Sequence, residues 1–201
     1  GSISGTARSI FEEGLRIPVI RIQRAGVLDV DLMYLIANNT REPEERELDL
    51  KVQIATNERG ATMVLELVRQ MGVEAVERSI EDILTYTRRR LRNRIAELKD
   101  GDYSFTSYMD DDGMGGDVVP IHATVRVAGE GLTVDFTGSG AQARGAMNVA
   151  KSALHATVFY CVKALMDPDL MPNSGMFDAI TIYAPEGTIT NPRFPAPVGA
   201  R

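Results

Sequence analysis

Apolar residues recur every three or four positions through much of the first half of the chain, which is the period of an amphipathic α-helix. The longest such pattern covers residues 44–99, and Gly72 divides it as a glycine at a helix C-terminus would. The pattern predicts an antiparallel helical hairpin, and a break in its first helix near residues 57–60 stays open. The second helix should bury one stripe of side chains, Ile80, Leu84, Leu91 and Ile95. A shorter helix is expected over residues 30–37.

After residue 101 the period changes to two, which is typical of β-strands. Side chains alternate over residues 103–110, 118–128 and 131–136, and Gly129-Glu130-Gly131 should join the last two strands as a hairpin. Residues 149–166 return to helical spacing, and residues 177–183 suit a final strand. The predicted fold class is α+β, with a helical hairpin and a further helix packed on a mostly antiparallel sheet. We divide the chain into two segments of one larger subunit, a mixed N-terminal segment with the hairpin (1–99) and a β-rich segment with one helix (100–201).

Composition narrows the possible partners. The chain has 22 basic and 28 acidic residues and a net charge of −6, whereas nucleic-acid binding needs a basic surface. The arginine cluster at residues 88–94 follows several acidic residues, so we interpret it as a salt-bridged helix face. No apolar run reaches the roughly 18 residues of a membrane span. The single cysteine, Cys161, excludes an internal disulfide and indicates a reducing compartment, and we expect it to be buried.

Three short stretches resemble binding motifs but lack the residues that carry the chemistry. Residues 140–145 have the glycine spacing of a phosphate-binding loop, but Ala146 and Met147 replace its Lys and its Ser or Thr. Residues 138–143 resemble a dinucleotide fingerprint, but no helix follows at once. The acidic run 110–113 lacks the alternating ligands of a calcium loop, so we predict a solvated turn between two strands, or an acidic patch that faces a helix or a cation.

Eight further motifs occur in an order that carries a family resemblance. They are Glu13-Gly-Leu-Arg-Ile-Pro18, Asn38-Asn-Thr-Arg41, Asp49-x-x-x-Gln53-x-x-x-Asn57, Asp100-Gly-Asp-Tyr103, Val134-Asp-Phe-Thr-Gly138, Gly145-x-x-Asn148, Pro172-Asn-Ser-Gly175 and Pro185-Glu-Gly187. This succession resembles the B-type subunit of the hydantoinase/oxoprolinase family, which is related to acetone and acetophenone carboxylase subunits. The resemblance covers essentially the whole chain and implies an internal segment of a subunit more than twice as long.

The resemblance implies a cytoplasmic, ATP-dependent system in which an A-type and a B-type subunit form a hetero-oligomer. The A-type partner would bind ATP with Mg and phosphorylate an amide or enolate oxygen. The B-type subunit would complete the ring opening of a cyclic amide, namely a hydantoin, 5-oxoproline or a lactam. The family's divalent metal would be held by a His- and Asp-containing stretch upstream of Gly1, so we expect no metal ligand or cofactor in this segment, which alone should be inactive. The alternatives are a non-catalytic assembly domain of that subunit and a subunit of an ATP-dependent ketone carboxylase.

The chemistry of an activated amide suggests which residues form a site. A phosphorylated or anionic oxygen needs Arg and N–H donors, and the attacking water needs a carboxylate. The catalytic candidates are Arg16, Arg41, Asp49 and Asp135, and the substrate-binding candidates are Glu13, Asn39, Gln53, Asn57 and Asn148.

Each candidate also has a structural alternative. Arg16 and Arg41 could pair with Glu13 or Asp49, Asp135 could cap a turn, and Asn148 could be the N-cap of the 149–166 helix. The helix face of Asp49, Gln53 and Asn57 could simply meet solvent. We also predict that the turns at residues 13–18 and 39–41 and the helix face of Asp49, Gln53 and Asn57 lie around one cleft.

Overall fold

The structure is a computed structural model that describes residues 5–199. Its residues divide into two units, the first formed by residues 13–77 and the second by residues 5–12 with residues 78–199. The division lies within a helix, at residues 77 and 78, rather than at residues 99 and 100, where the sequence period changes. The predicted α+β class with a mostly antiparallel sheet is confirmed.

The first unit begins with a small hairpin and a short helix. Strands β1 (Gln23–Arg24) and β2 (Val27–Leu28) are antiparallel. Ala25 and Gly26 between them have φ angles of 49° and 79°, as a type I′ turn requires. Helix α1 (Val30–Asn38) starts where the Asp29 carboxylate accepts a hydrogen bond from Leu32 N at 3.0 Å. The helix predicted at residues 30–37 is therefore present.

Both long helices of the predicted hairpin form, as α2 (Pro43–Met71) and α3 (Val73–Ala96). Pro43 occupies the first turn of α2, where its missing N–H costs no hydrogen bond. Gly72, with a φ angle of 83°, ends α2. Helix α2 runs through residues 57–60 without a break, and none of its residues is buried. No helix among residues 5–199 combines the length and apolar character needed to cross a membrane.

Burial along α3 differs from the predicted stripe. Leu91 and Ile95 are completely buried, as expected, but Leu84 is only half-buried and Ile80 is 52% exposed. The burial of Ile80 was therefore a wrong prediction. Helical periodicity identifies the face of a helix that can be buried, but not how far along the helix its neighbour extends.

The segment that follows residue 166 packs on α3, and its contacts show where along α3 the burial begins. The side-chain amide of Asn173 donates a hydrogen bond to the Thr87 hydroxyl at 2.8 Å. A Cβ atom on Gly175 would collide with the carbonyl oxygen of Leu84, so only glycine permits this approach. The motif Pro172-Asn-Ser-Gly175 thus packs against α3 from residue 84 onward.

The second unit contains a four-stranded sheet in the order β3, β4, β5, β6. The strands are β3 (Gly101–Met109), β4 (Val119–Ala128), β5 (Gly131–Asp135) and β6 (Ile180–Tyr183), and only the β5–β6 pair is parallel. The hairpin turn predicted at residues 129–131 is confirmed by the pairing of Ala128 with Gly131. The strand predicted at residues 177–183 begins only at residue 180, because the Asn173 carboxamide accepts a hydrogen bond from Gly175 N and starts a 3₁₀ helix (Ser174–Ala179).

Helix α4 (Lys151–Met166) packs on the core face of this sheet. The buried core joins α3, α4, three strands and the segment after α4, through Leu91, Ile95, Val127, Leu132, Val134, Phe136, Leu154, Val158, Val162, Leu170, Met176, Ala179 and Ile180. Burial of each larger side chain contributes roughly 1.5–3 kcal/mol. This core fixes the strand ends that carry the candidate site.

The arginine cluster of α3 is salt-bridged as predicted, but most of its partners come from later in the chain. The pairs are Arg88 with Asp178, Arg90 with Asp167, Arg92 with Glu130, and Arg94 with Glu97. Asp167 is buried, and the Arg90 guanidinium holds the pKa of its carboxyl group below the usual value. The upstream acidic residues that suggested a solvated face are not the partners in these four pairs.

Candidate functional site

Four strand ends meet at one end of the sheet, namely the end of β3, the start of β4 and the ends of β5 and β6, as their pairing requires. The loops there, residues 110–118, 136–150 and 184–198, are called the loop cluster below. They pack closely around two glycines. A Cβ atom on Gly145 would lie 2.5 Å from the carbonyl oxygen of Gly5, and one on Gly113 would lie 2.8 Å from the same oxygen. These glycines therefore permit backbone contacts that a side chain would prevent.

Asn148 lies at the centre of the loop cluster and is completely buried. Its Oδ1 accepts a hydrogen bond from Ala143 N at 2.7 Å, and its Nδ2 donates to the carbonyl oxygens of Ala143, Gly145 and Pro197. The expected N-cap role is wrong, because α4 starts at Lys151 with Ala150 as its N-cap. The carboxamide instead ties its own loop, residues 136–150, to the loop of residues 184–198, and both of its polar atoms are engaged with backbone.

Asp112 and Arg144 form an ion pair at the rim of the loop cluster. Arg144 Nε donates to Asp112 Oδ2 at 2.6 Å, while Asp112 Oδ1 accepts from the backbone N–H groups of Met114 and Gly116, both at 3.0 Å. The Arg144 hydrogen bond and these two N–H groups hold the pKa of Asp112 well below its usual value of 3.8. Asp112 is therefore a permanent anion at neutral pH and is unsuited to proton transfer.

The same two residues lie beside a polar pocket of about 390 Å³, formed by residues 112, 116–120 and 140–144. The Arg144 side chain is 67% exposed although Asp112 fixes its Nε atom. A guanidinium held in this way can present its other N–H groups to an anionic oxygen. The acidic run 110–113 thus lies in the connection between β3 and β4, as predicted, but Asp112 in it is buried rather than solvated and orients an arginine.

Asp135 lies at the end of β5, where its Oδ1 accepts a hydrogen bond from Thr137 N at 2.8 Å. Hydrogen bonds from the Thr137 hydroxyl and backbone lower the pKa of Asp135. Asp135 was expected either to line a site or to cap a turn, and the hydrogen bonds observed here are those of a turn cap. Its carboxylate is half-buried and ionised at neutral pH.

The other seven site candidates belong to the first unit. Asp49, Gln53 and Asn57 are exposed on α2, and Asp49 pairs with Arg46 at 2.8 Å rather than with Arg41. Asn39 ends α1 and donates from Nδ2 to the Leu35 carbonyl at 2.8 Å. Glu13 is half-buried, and Arg16 is exposed.

Arg41 lies in the short connection between α1 and α2. Its side chain is exposed, and its guanidinium makes no hydrogen bond or ion pair with any other residue in the described range 5–199. An arginine without an internal partner remains available to bind an anion from outside. The convergence of residues 13–18, 39–41 and the α2 face on one cleft stays a prediction.

Within residues 5–199, no three His, Cys, Asp or Glu side chains are grouped closely enough to hold a metal ion. The residues present therefore do not fit the divalent metal that the resemblance implies. The pair Asp112–Arg144 was missed by sequence reasoning because 32 positions separate the two residues. The glycine spacing at residues 140–145 was its only signal, and that spacing points to a phosphate loop rather than to an ion pair.

A family model described as Hydantoinase B/oxoprolinase matches residues 1–201. The chain belongs to the hydantoinase B/oxoprolinase family. It is 30% identical to the B-type subunit of a D-/L-hydantoinase of Pseudomonas sp. (strain NS671), over 95% of this chain and 34% of that protein. It therefore spans about a third of the length of this relative.

Two solved structures of this architecture extend the comparison. The crystal structure of the ATP-dependent caprolactamase from Pseudomonas jessenii aligns with a TM-score of 0.84 and 25% identity, over 97% of this chain and 34% of that chain. The nucleotide-free structure of acetone carboxylase aligns with a TM-score of 0.89 and 19% identity, over all of this chain and 28% of that chain. The second likeness shows a shared fold alone.

The structure shows what two of the motifs that carry the family resemblance contact in this chain. In this member, Gly145 and Asn148 hold the loop cluster together, and the Asn173–Gly175 motif seats a loop on α3. These positions thus build the scaffold of the second unit, and Arg144 offers an exposed charged group at its strand ends.

Proposed function

We propose that the chain is part of the catalytic B-type subunit of an ATP-dependent hydrolase that opens cyclic amides. The observation that carries the proposal is the match of nearly the whole chain to the ATP-dependent caprolactamase at a TM-score of 0.84. A hydantoin, 5-oxoproline or a lactam would be the substrate. In this reaction an A-type partner transfers the γ-phosphoryl group of ATP to the amide oxygen, and water then adds to the activated carbon. The ring C–N bond of this adduct then breaks to give an amine and an acyl phosphate, and a second water hydrolyses the acyl phosphate to a carboxylate and inorganic phosphate.

The residues of this chain would serve the anionic oxygen rather than the nucleotide. Arg41 is the strongest candidate, because its guanidinium is exposed and without an internal partner among the described residues. Arg16 would be a second donor to the same oxygen. Asp49 would orient the attacking water, and Glu13, Asn39, Gln53 and Asn57 would bind the substrate.

The direct test is turnover by the complete B-type subunit with its A-type partner and ATP. The substrate panel contains hydantoin, 5-oxoproline, caprolactam, and acetone with bicarbonate, and product is measured together with ADP or AMP. ATP-dependent opening of one cyclic amide would support the proposal. Conversion of acetone alone would instead assign the chain to a ketone carboxylase, the third possibility.

The role of Arg41 has a matched test in the same complex. We expect Arg41→Ala to lower turnover by a factor of about 100 or more while the melting temperature stays nearly unchanged, because a lost transition-state donor costs about 2.7–4 kcal/mol. Arg69→Ala is the control, since Arg69 is also an exposed arginine of the first unit and belongs to none of the site candidates. Equal, small effects of both substitutions would remove Arg41 from the site.

A non-catalytic assembly role is favoured by a different observation, the complete engagement of Asn148 by backbone. If the chain serves assembly alone, every substitution in it should lower turnover only in proportion to the loss of folded complex. The Arg41 variant again decides, because within residues 5–199 its guanidinium makes no polar contact whose loss could unfold the protein.

A further inference from the structure

An apolar groove of about 550 Å³ runs along one side of helix α4 on the core face of the sheet. Its floor is formed by Val125, Val127, Leu132 and Val134. Its walls come from α4 on one side and from the start of β3 on the other, and among the described residues Lys99 is the one charged residue in its lining. This feature is called the α4 groove below. It lies wholly within the second unit.

The width of the sheet explains why the groove exists. Neighbouring strands lie about 4.8 Å apart, and a helix with its side chains is about 10 Å wide, so one helix covers about two strands. One side of α4 faces β6, where Ser152, Ala156 and Phe159 lie near Ile180 and Ile182. The helix therefore leaves β3 and the adjoining part of β4 without a cover of its own.

The uncovered half of the sheet is apolar. Tyr103 pairs with Val125 and Phe105 with Ala123, so both aromatic side chains lie on the same face as the groove floor. Phe105 is 75% exposed, and Leu165 on the α4 wall is 79% exposed. Large apolar patches of this kind mark surfaces that are covered in the working protein.

The lining of the groove argues against a cyclic amide as its occupant. A ring amide has a carbonyl oxygen and an N–H group, and a site for it needs a few convergent polar groups. The lining offers only Lys99, Thr157 and the Cys161 thiol beside the Tyr103 hydroxyl, and Tyr103 already donates to the Lys99 carbonyl at 2.7 Å. An apolar helix surface matches this lining better.

We propose that, in the complete B-type subunit, an amphipathic helix from outside these 201 residues fills the α4 groove, lying beside α4 over β3 and β4. The inference rests on the proposed function only in taking the chain as part of such a subunit. The D-/L-hydantoinase relative is about three times as long as this chain, so a polypeptide of that length has ample sequence to supply the helix. The C-terminal part of α3 already packs in the same core as α4, and a further helix would complete the two-layer packing of helices on the four-stranded sheet.

Cys161 is a built-in reporter of the groove, because it lines the groove, is exposed and is the only cysteine in these 201 residues. The test labels the complete B-type subunit, purified without its partner, with N-ethylmaleimide and follows the peptide that contains Cys161 by mass spectrometry. We expect labelling to be slower than in the urea-unfolded subunit by a factor of about ten or more. The expected result does not depend on turnover, so it can fail while the proposed function stands.

The control is a thiol on the outer face of the same helix. Tyr160 is exposed and does not line the groove, so Tyr160→Cys in a Cys161→Ser background should label close to the unfolded rate. Rapid labelling of Cys161 in the native subunit would overturn the proposal. Protection that appears only after the A-type partner is added, or only at high protein concentration, would also overturn it, because a partner or a second copy would then be the cover.

A pair of substitutions gives a second readout. Leu165 and Tyr160 are similarly exposed on α4, at 79% and 72%, but only Leu165 lines the groove. In the complete subunit, Leu165→Glu should lower the melting temperature clearly more than Tyr160→Glu does, because it would place a charge against the covering helix. Equal shifts for the two variants would contradict a filled groove.

Discussion

The long helices of the two units differ in how many of their side chains are buried. Helix α2 has 29 residues, and none of them is buried. The C-terminal part of α3 and helix α4 instead contribute Leu91, Ile95, Val158 and Val162 to one core with the sheet. Both helices of the predicted hairpin have apolar residues at helical spacing, so the spacing alone does not distinguish them. Apolar residues at helical spacing therefore show which side chains of a helix can be buried. Which of them are buried depends on the elements that pack against the helix.

The largest effect that separates the two regions is expected from matched leucine truncations. Leu91→Ala should lower the free energy of unfolding by about 2–5 kcal/mol, because Leu91 is completely buried and its removal leaves a cavity. Leu67→Ala on α2 should cost less than about 1 kcal/mol, since Leu67 is 47% exposed. Urea unfolding of the 201-residue chain, followed by circular dichroism, measures both. Similar losses would erase the distinction between the regions.

A smaller but still clear effect is expected from two asparagines. Asn148→Ala would leave several buried backbone groups of the loop cluster without partners, at about 1–3 kcal/mol for each unsatisfied group. Asn39→Ala removes one exposed hydrogen bond and should change stability by about 0.5 kcal/mol or less. Melting temperatures of the two variants provide the comparison. If Asn39→Ala proved the more damaging change, the scaffold role of Asn148 would be wrong.

The Asp112–Arg144 pair should make the stability of the second unit depend on pH in the acidic range. The pKa of Asp112 is depressed in the folded state, so its stabilising contribution is complete above the unfolded carboxyl value and is lost as the pH falls below about 4. The melting-temperature difference between wild type and Asp112→Asn should therefore shrink between about pH 5 and pH 3. Arg144→Gln should flatten the same part of the wild-type profile. A difference independent of pH would mean that the charge of Asp112 contributes nothing.

The smallest change is expected at a glycine inside α2. A Cβ atom at Gly60 would meet nothing within 4 Å, and alanine favours the helix, so Gly60→Ala should stabilise by about 0.5–1 kcal/mol. Gly175→Ala is the control with the opposite sign, because its Cβ would collide with the Leu84 carbonyl. Thermal unfolding of both variants checks the signs. A loss of stability in Gly60→Ala would show that α2 is packed at that position.

Sequence reasoning succeeded where the signal is local. The β4–β5 hairpin follows from alternation around Gly129-Glu130-Gly131, and α1 follows from helical spacing over residues 30–37. The family resemblance was likewise carried by short ordered motifs and is confirmed over the whole chain.

The misses all depend on contacts between distant parts of the chain. Ile80 is exposed because the neighbouring segment reaches α3 only from Leu84 onward. Cys161 lies on the apolar face of α4, as its spacing indicates, but it is exposed rather than buried because the sheet is wider than the helix. Among the residues discussed for the site, Arg41 was indicated by the sequence. The ion pair between Asp112 and Arg144 could be recognised only from the fold.

Hydrogen–deuterium exchange on the 201-residue chain tests the contrast between the units most directly. Amides of β3 to β5 and of α3 from Leu91 to Ile95 should exchange slowly, because opening them requires the core to open. Amides of α2 should exchange faster by a factor of about 100 or more, since no buried side chain holds that helix in place. Protection of α2 equal to that of the sheet would contradict the account.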